Sequence, residues 1–187
     1  MSIEKTEKRL LNKAVHYLGR YSTSEQRLRE VLSKFAIRHL ADVDQKEVAI
    51  AIKSVVDKCL RLGYVNNAAF AETLARSQRR QGKSSILIWQ KLRQHALDDT
   101  AIATAIQLAD ANQHDAELAA AIHFARRRRL GPFYRGVAEK RKRHRHFGSL
   151  ARAGFSMAIC RTVLNANSIH DLEELEHDAM QSEEAGA

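Results

Sequence analysis

A single proline, Pro132, and eight glycines are spread through 187 residues. Proline breaks the helical hydrogen-bond ladder and glycine commonly ends a helix, so a chain this poor in both has few places where helices must stop. Between the breaks lie long stretches of Ala, Leu, Arg, Gln, Glu and Lys, residues that enter helices at little free-energy cost. The valines and isoleucines do not alternate with polar residues as in a half-buried strand. Val48 and Ile52, like Ile102 and Ile106, stand four apart, the spacing that puts side chains on one helical face. Apolar residues make up 44% of the chain and charged ones 28%, a normal balance for a chain that buries a core. The expected fold is all-α.

Leu10, Leu11, Ala14, Val15 and Leu18 form an apolar stripe over about residues 5–19, the mark of an amphipathic helix. Ser22-Thr23-Ser24-Glu25 reads as a capping box, in which a serine hydroxyl accepts from an amide of the first turn and Glu25 reaches back to the cap amide. The helix it opens carries Leu28, Val31, Leu32 and Phe35. A third, from near Asp44, carries Val48, Ile52, Val55, Val56, Cys59 and Leu60 and stops at Gly63. The pattern then restarts. Asn66 or Asn67 caps a helix with Phe70, Leu74 and Ala75 that ends near Gly82; Ser84 or Ser85 caps one with Ile88, Trp89 and Leu92; Asp98 caps one with Ile102, Ala105 and Ile106. A third set follows: Leu118, Ile122 and Ala125 before Gly131-Pro132, then Phe147, Leu150 and Ala151, then Ile159, Val163 and Leu164 after Gly154.

Shifting the chain on itself by 58 residues lays Leu92 through Asp98 over Leu150 through Ser156, and Ile102 and Ile106 over Cys160 and Leu164. A leucine, an apolar turn and a cap coincide, which indicates an internal repeat. The expected organisation is three helix triplets, at 1–63, 64–111 and 112–166, forming an elongated, curved stack. An acidic tail follows at 167–187. Its Leu172-Glu173-Glu174-Leu175 stretch is compatible with a short helix, and 181–187 is expected to be disordered.

The net charge of +9 is unevenly placed: residues 1–111 carry 19 basic and 12 acidic side chains, residues 112–165 carry 12 and 3, and residues 166–187 none and 7. A dense basic stretch concentrates polyanions through its field, and an acidic tail can mask it. Cys59 and Cys160 lie far apart with no CxxC pair or regular histidine spacing, so neither structural zinc nor a disulfide framework is expected. No apolar segment at the start suggests a signal peptide, and no apolar run approaches the ~20 residues that span a bilayer. The expected location is the cytoplasm, away from membranes.

The segment from Ser22 through Leu32 (STSEQRLREVL) resembles the first signature of the bacterial RecX regulators, a serine–glutamate cap before a basic, leucine-bearing helix. Leu62 through Ala71 (LGYVNNAAFA) resembles the family's glycine–tyrosine turn leading to a phenylalanine–alanine pair. Arg79-Arg80-Gln81-Gly82-Lys83, Ile88, Leu92 and finally Leu150 through Ser156 follow in the family's order. The resemblance covers about residues 8–165 and leaves the acidic tail outside. Asn66-Asn67 stands where the family usually has an acidic pair, Ser84-Ser85 near its Gly-Pro, and Ala96 in place of a turn glycine. The resemblance implies tandem three-helix repeats and a protein that binds RecA recombinase filaments on single-stranded DNA, restraining their ATPase, strand-exchange and co-protease activities.

The strongest candidates for partner contact are Arg126, Arg127, Arg128 and Arg129, and the run Lys140, Arg141, Lys142, Arg143 and Arg145, with Arg135 and Arg152 beside them. Consecutive residues point all round a helix, and no acids are interleaved to form i,i+4 pairs. Arginine's planar fork suits phosphate and carboxylate. In such a field His144 and His146 should resist protonation. Arg76, Arg79, Arg80 and Lys83 form a smaller group near a helix end, where cations also complement the macrodipole by ~0.3–1 kcal/mol each. Phe133 and Tyr134 are candidates for stacking on bases or for packing between helices, while Trp89, sharing a helix with Ile88 and Leu92, is read as core. No paired acids, nucleophile–base set, phosphate-binding glycine loop or HExxH occurs, so no catalysis, metal or cofactor is expected and ATP chemistry falls to the partner. The expected partners are a RecA filament and single- or double-stranded DNA, with the chain acting as a monomer. The rival reading is an autonomous protein that coats single strands, and a third is a scaffold whose tail recruits a basic partner.

Overall fold

The computed structural model describes residues 3–136 and 140–181. Among them there are ten α-helices and no strand: α1 (Ile3–Leu18), α2 (Glu25–His39), α3 (Gln45–Arg61), α4 (Asn67–Arg80), α5 (Ser85–Arg93), α6 (Asp99–Asp110), α7 (Ala116–Arg128), α8 (Lys140–Arg152), α9 (Met157–Asn165) and α10 (Ile169–Met180), with a 3-10 turn at Gly131–Phe133. The chain forms two compact units. One comprises Met1–Ala71 with the turn His95–Leu97, and the other Glu72–Gln94 with Asp98–Ala187.

In the first unit α1, α2 and α3 pack pairwise around Leu10, Ala14, Leu28, Leu32, Val56 and Cys59, none of which reaches solvent. Helix α2 begins because Ser24, extended at φ −80°, accepts the Arg27 N–H on Oγ at 3.2 Å. The expected capping box is not formed. Ser24 rather than Ser22 is the cap, so Glu25 is the first helical residue and cannot reach back. Its own N–H is taken by Asn67 Oδ1 at 2.8 Å, and its carboxylate holds Arg29 at 2.7 Å. Asn66 Oδ1 meanwhile caps α4 through the Ala69 N–H at 3.0 Å. Both asparagines therefore serve as neutral acceptors at helix starts. Helix α3 ends where the Tyr64 and Gly63 N–H groups fold back to Cys59 and Leu60 carbonyls, at 2.9 and 3.0 Å. This closure needs a left-handed residue, and Gly63 supplies it at φ +71°.

The second unit has its core at Ile122, Leu150, Cys160, Val163 and Leu172, all fully buried. Positions paired by the 58-residue shift match. Leu92 and Leu150 are fully buried, as are Ile102 and Cys160. Asp98 and Ser156 cap α6 and α9 with their side chains, and Ala96 and Gly154 both turn left-handed, at φ +54° and +88°. At Gly154 a Cβ would lie 2.6 Å from Ser84 Oγ. Ala96 takes the same turn without glycine. The side chain of Trp89 is half-buried.

The acidic segment contributes a full helix. Helix α10 buries Leu172 and Ala179 against α7, and the backbone of Gln181 and Ala179 accepts the His114 and Asp115 N–H groups, each at 3.0 Å. Of the stretch expected to be disordered, residues 182–187 lie outside the described residues.

Candidate nucleic-acid interface

Helix α7 is alanine-rich where it packs, with Ala119, Ala120, Ala121 and Ala125 buried, and its basic residues Arg126, Arg127 and Arg128 all fall in the last turn. Its arginines therefore emerge together at the C-terminal end, where cations complement the helix dipole. Arg129 closes the helix in a left-handed conformation, φ +55°. Arg127, Arg128 and Arg129 are exposed, and Arg128 lies 5.9 Å from the Phe124 ring centroid. Arg126 is turned inward, 2.6 Å from Glu176 and 3.8 Å from Glu173 of α10 and 5.3 Å over the Phe133 ring.

Helix α8 carries cations on two faces. Lys142, Arg145, Ser149 and Arg152, at i, i+3, i+7 and i+10, line one groove of about 530 Å³ together with Leu130. Lys140, Arg143, His144 and Phe147, at i, i+3, i+4 and i+7, face Arg161, Leu164 and Asn165 of α9 across a second of about 360 Å³. Arg135, Lys140, Arg141, Arg143, Arg145, Arg152 and Arg161 are exposed. None of these seven has an acidic partner among the described residues. Arg143 does reach Asn165 Oδ1 at 3.4 Å. Arg161 carries no signal in the sequence because it stands alone among apolar neighbours; only the packing of α8 on α9 adds it to the run.

His146 is buried midway along α8. Its Nδ1 accepts the Gly131 N–H at 3.2 Å, which places the ring proton on Nε2, and its ring meets Tyr134 edge-on at 5.3 Å. Burial, helped by Lys142 and Arg145, holds its pKa below the ordinary histidine value. Tyr134 and Phe133 are both half-buried; Lys142 sits 4.8 Å over one ring and Arg126 over the other. The two rings, read from the sequence as candidates for stacking on bases or for packing between helices, thus already carry cations from their own chain.

Of the smaller group, Arg76 is exposed and paired with Glu72 at 2.7 Å, Arg80 is exposed and Lys83 half-buried. Arg79, expected on the surface, is instead buried. Its side chain is 5% exposed, and all its donors are used inside the fold. Nε and Nη2 bind Asp110 at 2.8 and 2.7 Å, Nη1 binds Glu117 at 2.6 Å and the Lys83 carbonyl at 3.0 Å, and Nη2 also lies 2.5 Å from Ser85 Oγ. Burial alone would weaken its charge, but hydrogen bonds to Asp110 and Glu117 raise its pKa above the ordinary arginine value. The residue ties four helices together and cannot reach a partner.

The chain is 36% identical over 162 residues to the regulatory protein RecX of Myxococcus xanthus (strain DK1622), an alignment covering 84% of this chain and 85% of that one. The chain belongs to the RecX family. The RecX regulatory protein of Agrobacterium fabrum (strain C58 / ATCC 33970) is 27% identical over 168 residues, covering 90% and 88%. The family model described as "RecX, second three-helix domain" matches residues 66–106, from the cap of α4 into α6. The crystal structure of RecX from Lactobacillus salivarius shares the fold, with a TM-score of 0.66 at 20% identity over 91% of this chain and 99% of that one. A second RecX crystal structure gives 0.69 at 18% identity over 88% and 74%. Among the described residues of this RecX-family chain, no helix is long and apolar enough to cross a membrane.

Proposed function

We propose that this RecX-family chain is a non-catalytic regulator that binds RecA-type recombinase filaments on single-stranded DNA and lowers their ATPase, strand-exchange and co-protease activities. The observation that carries the reading is the cluster of cations on α7, α8 and α9 that have no acidic partner among the described residues. Charges left unpaired on adjoining helices repel one another, and a polyanion relieves that repulsion while releasing its own counterions. On this reading the DNA of the filament meets α8, the filament's protein meets the rest of the chain, and a single cytoplasmic copy acts at each site.

The test is the DNA-dependent ATPase of the recombinase with this protein titrated in. Turnover should fall as the chain saturates the filament, and unchanged turnover at saturation would sink the reading. Replacing Arg127, Arg128, Lys140 and Arg143 by alanine should weaken inhibition while the fold persists. It should also make log affinity for bare single strands less dependent on log salt, by roughly 0.7 for each phosphate that is no longer neutralised. Tight binding to bare strands with no effect on the recombinase would favour the rival, a protein that coats single strands on its own.

A further inference from the structure

The groove between α8 and α9 differs from the groove along the other face of α8, whose lining of Leu130, Lys142, Arg145, Ser149 and Arg152 includes no phenyl ring. Its walls are Phe147 and Leu164, its rim is Lys140, Arg143, His144 and Arg161, and Asn165 places an amide at the edge. Phe147 is half-buried, packed on the core of the second unit yet lining the pocket. Bulk anion attraction needs cations only. A half-buried aromatic that shares a groove with two arginines and an amide is a set that holds an unpaired base, with the ring for stacking, cations for the flanking phosphates and the amide, whose oxygen is now 3.4 Å from Arg143, for a base edge.

We infer that this pocket seats one unstacked base of a single-stranded nucleic acid, the base lying against Phe147 and the phosphates on either side meeting Arg143 and Arg161. The site rests on the reading that α8 faces DNA, but not on any recombinase. It also takes the stacking role away from Phe133 and Tyr134, over whose rings Arg126 and Lys142 lie. A base-paired duplex presents no free base face, so the pocket gives the cationic surface a preference for single strands that charge alone does not.

The experiment compares a labelled oligothymidylate with an abasic strand of equal length and phosphate count, using the full chain. Wild type should bind the base-bearing strand about tenfold more tightly, within the range that base–aromatic stacking provides. Phe147→Leu keeps an apolar filler for the core and should abolish that preference with an unchanged salt slope, while Phe147→Tyr should retain it. Arg161→Ala should keep the preference and flatten the slope by roughly 0.7. Equal affinity of wild type for both strands, a preference surviving in Phe147→Leu, or an unaltered slope in Arg161→Ala would each overturn the inference. Equal competition by polyglutamate and by the base-bearing strand would do so too, because the face would then be one for acidic protein. Recombinase ATPase on the same variants separates the two ideas. A base preference on bare strands with no effect on turnover removes the regulator reading and leaves the pocket, whereas inhibition undisturbed by Phe147→Leu, with no base preference in wild type, does the reverse.

Discussion

Arg79→Ala tests whether the buried Arg79 guanidinium of the second unit is a structural tie. The substitution removes all five donors at once: two bonds to Asp110, one to Glu117, one to the Lys83 carbonyl and one to Ser85. Breaking a buried ion pair by deleting one partner costs about 3–5 kcal/mol, because the other charge is left without compensation. Here Asp110 and Glu117 keep 23% and 24% of their side-chain surface exposed, so water can partly rehydrate them and the expected destabilisation is at the lower end, about 3 kcal/mol. The only tryptophan, Trp89, lies in α5 within the same unit, so its fluorescence in a urea titration reports the part of the chain that Arg79 secures. With a urea slope of about 1–3 kcal/mol per molar, the midpoint should fall by about 1–3 M. The effect should persist at high salt, since buried pairs are screened far less than exposed ones. Single-strand affinity measured well below the midpoint should be unchanged. A shift worth less than about 1 kcal/mol, the ceiling for an exposed pair, would refute the tie.

Three further perturbations read other features. Gly154→Ala forces a left-handed alanine and puts a methyl 2.6 Å from Ser84 Oγ, so it should destabilise the second unit by at least about 2 kcal/mol; at the repeat-equivalent turn, Ala96→Gly should instead be neutral or mildly stabilising, and thermal melts showing the opposite order would break the equivalence. His146 is held neutral by burial, Lys142 and Arg145; its folded pKa lies below the unfolded value of about 6.5, so its contribution is complete above that value and is lost as pH falls through the folded pKa, and an NMR titration finding it charged at or above pH 6.5 would refute this. Glu176→Gln removes the negative charge 2.6 Å from Arg126, leaving Glu173 at 3.8 Å, and should tighten single-strand binding with a steeper salt dependence; unchanged affinity would show that Arg126 does not face the strand.

The helices were legible because apolar residues spaced three and four apart, with Ser, Asn or Asp before them, leave few alternatives. Ser84, Asp98 and Ser156 cap where the sequence placed caps. Leu92 and Leu150 are buried as the 58-residue shift that pairs them requires. The candidate site was less legible, since sequence proximity shows which charges cluster but not which are consumed inside the fold. Arg79 and Arg80 are neighbours with the same chemistry, yet one is buried among carboxylates contributed from 31 and 38 residues away and the other is exposed. Arg126 looks like Arg127 until α10 brings Glu176 to it from 50 residues away. Arg161 joins the basic face only through packing of α9 on α8. The misread capping box has a local cause: three hydroxyl residues in a row offer more than one cap, and only the backbone conformation at Ser24 decides among them.

Ser24 and Ser84 do the same thing twice. Each caps its own helix, and each reaches a turn far along the chain, Ser24 to His95 Nδ1 and Ser84 to the Ala153 carbonyl, across 71 and 69 residues. Both serines are fully buried. A seam that recurs with nearly the same sequence separation can be copied: duplicating one repeat length creates a new junction whose serine already finds its turn, while an insertion of another size inside a helix rotates its apolar face away from the core. Change of length in such chains is therefore expected in whole triplets or at loop tips. A chain extended by one duplicated triplet should fold with a far-ultraviolet helical signal that grows in proportion, and a signal that fails to grow would show that the seam depends on more than these two serines.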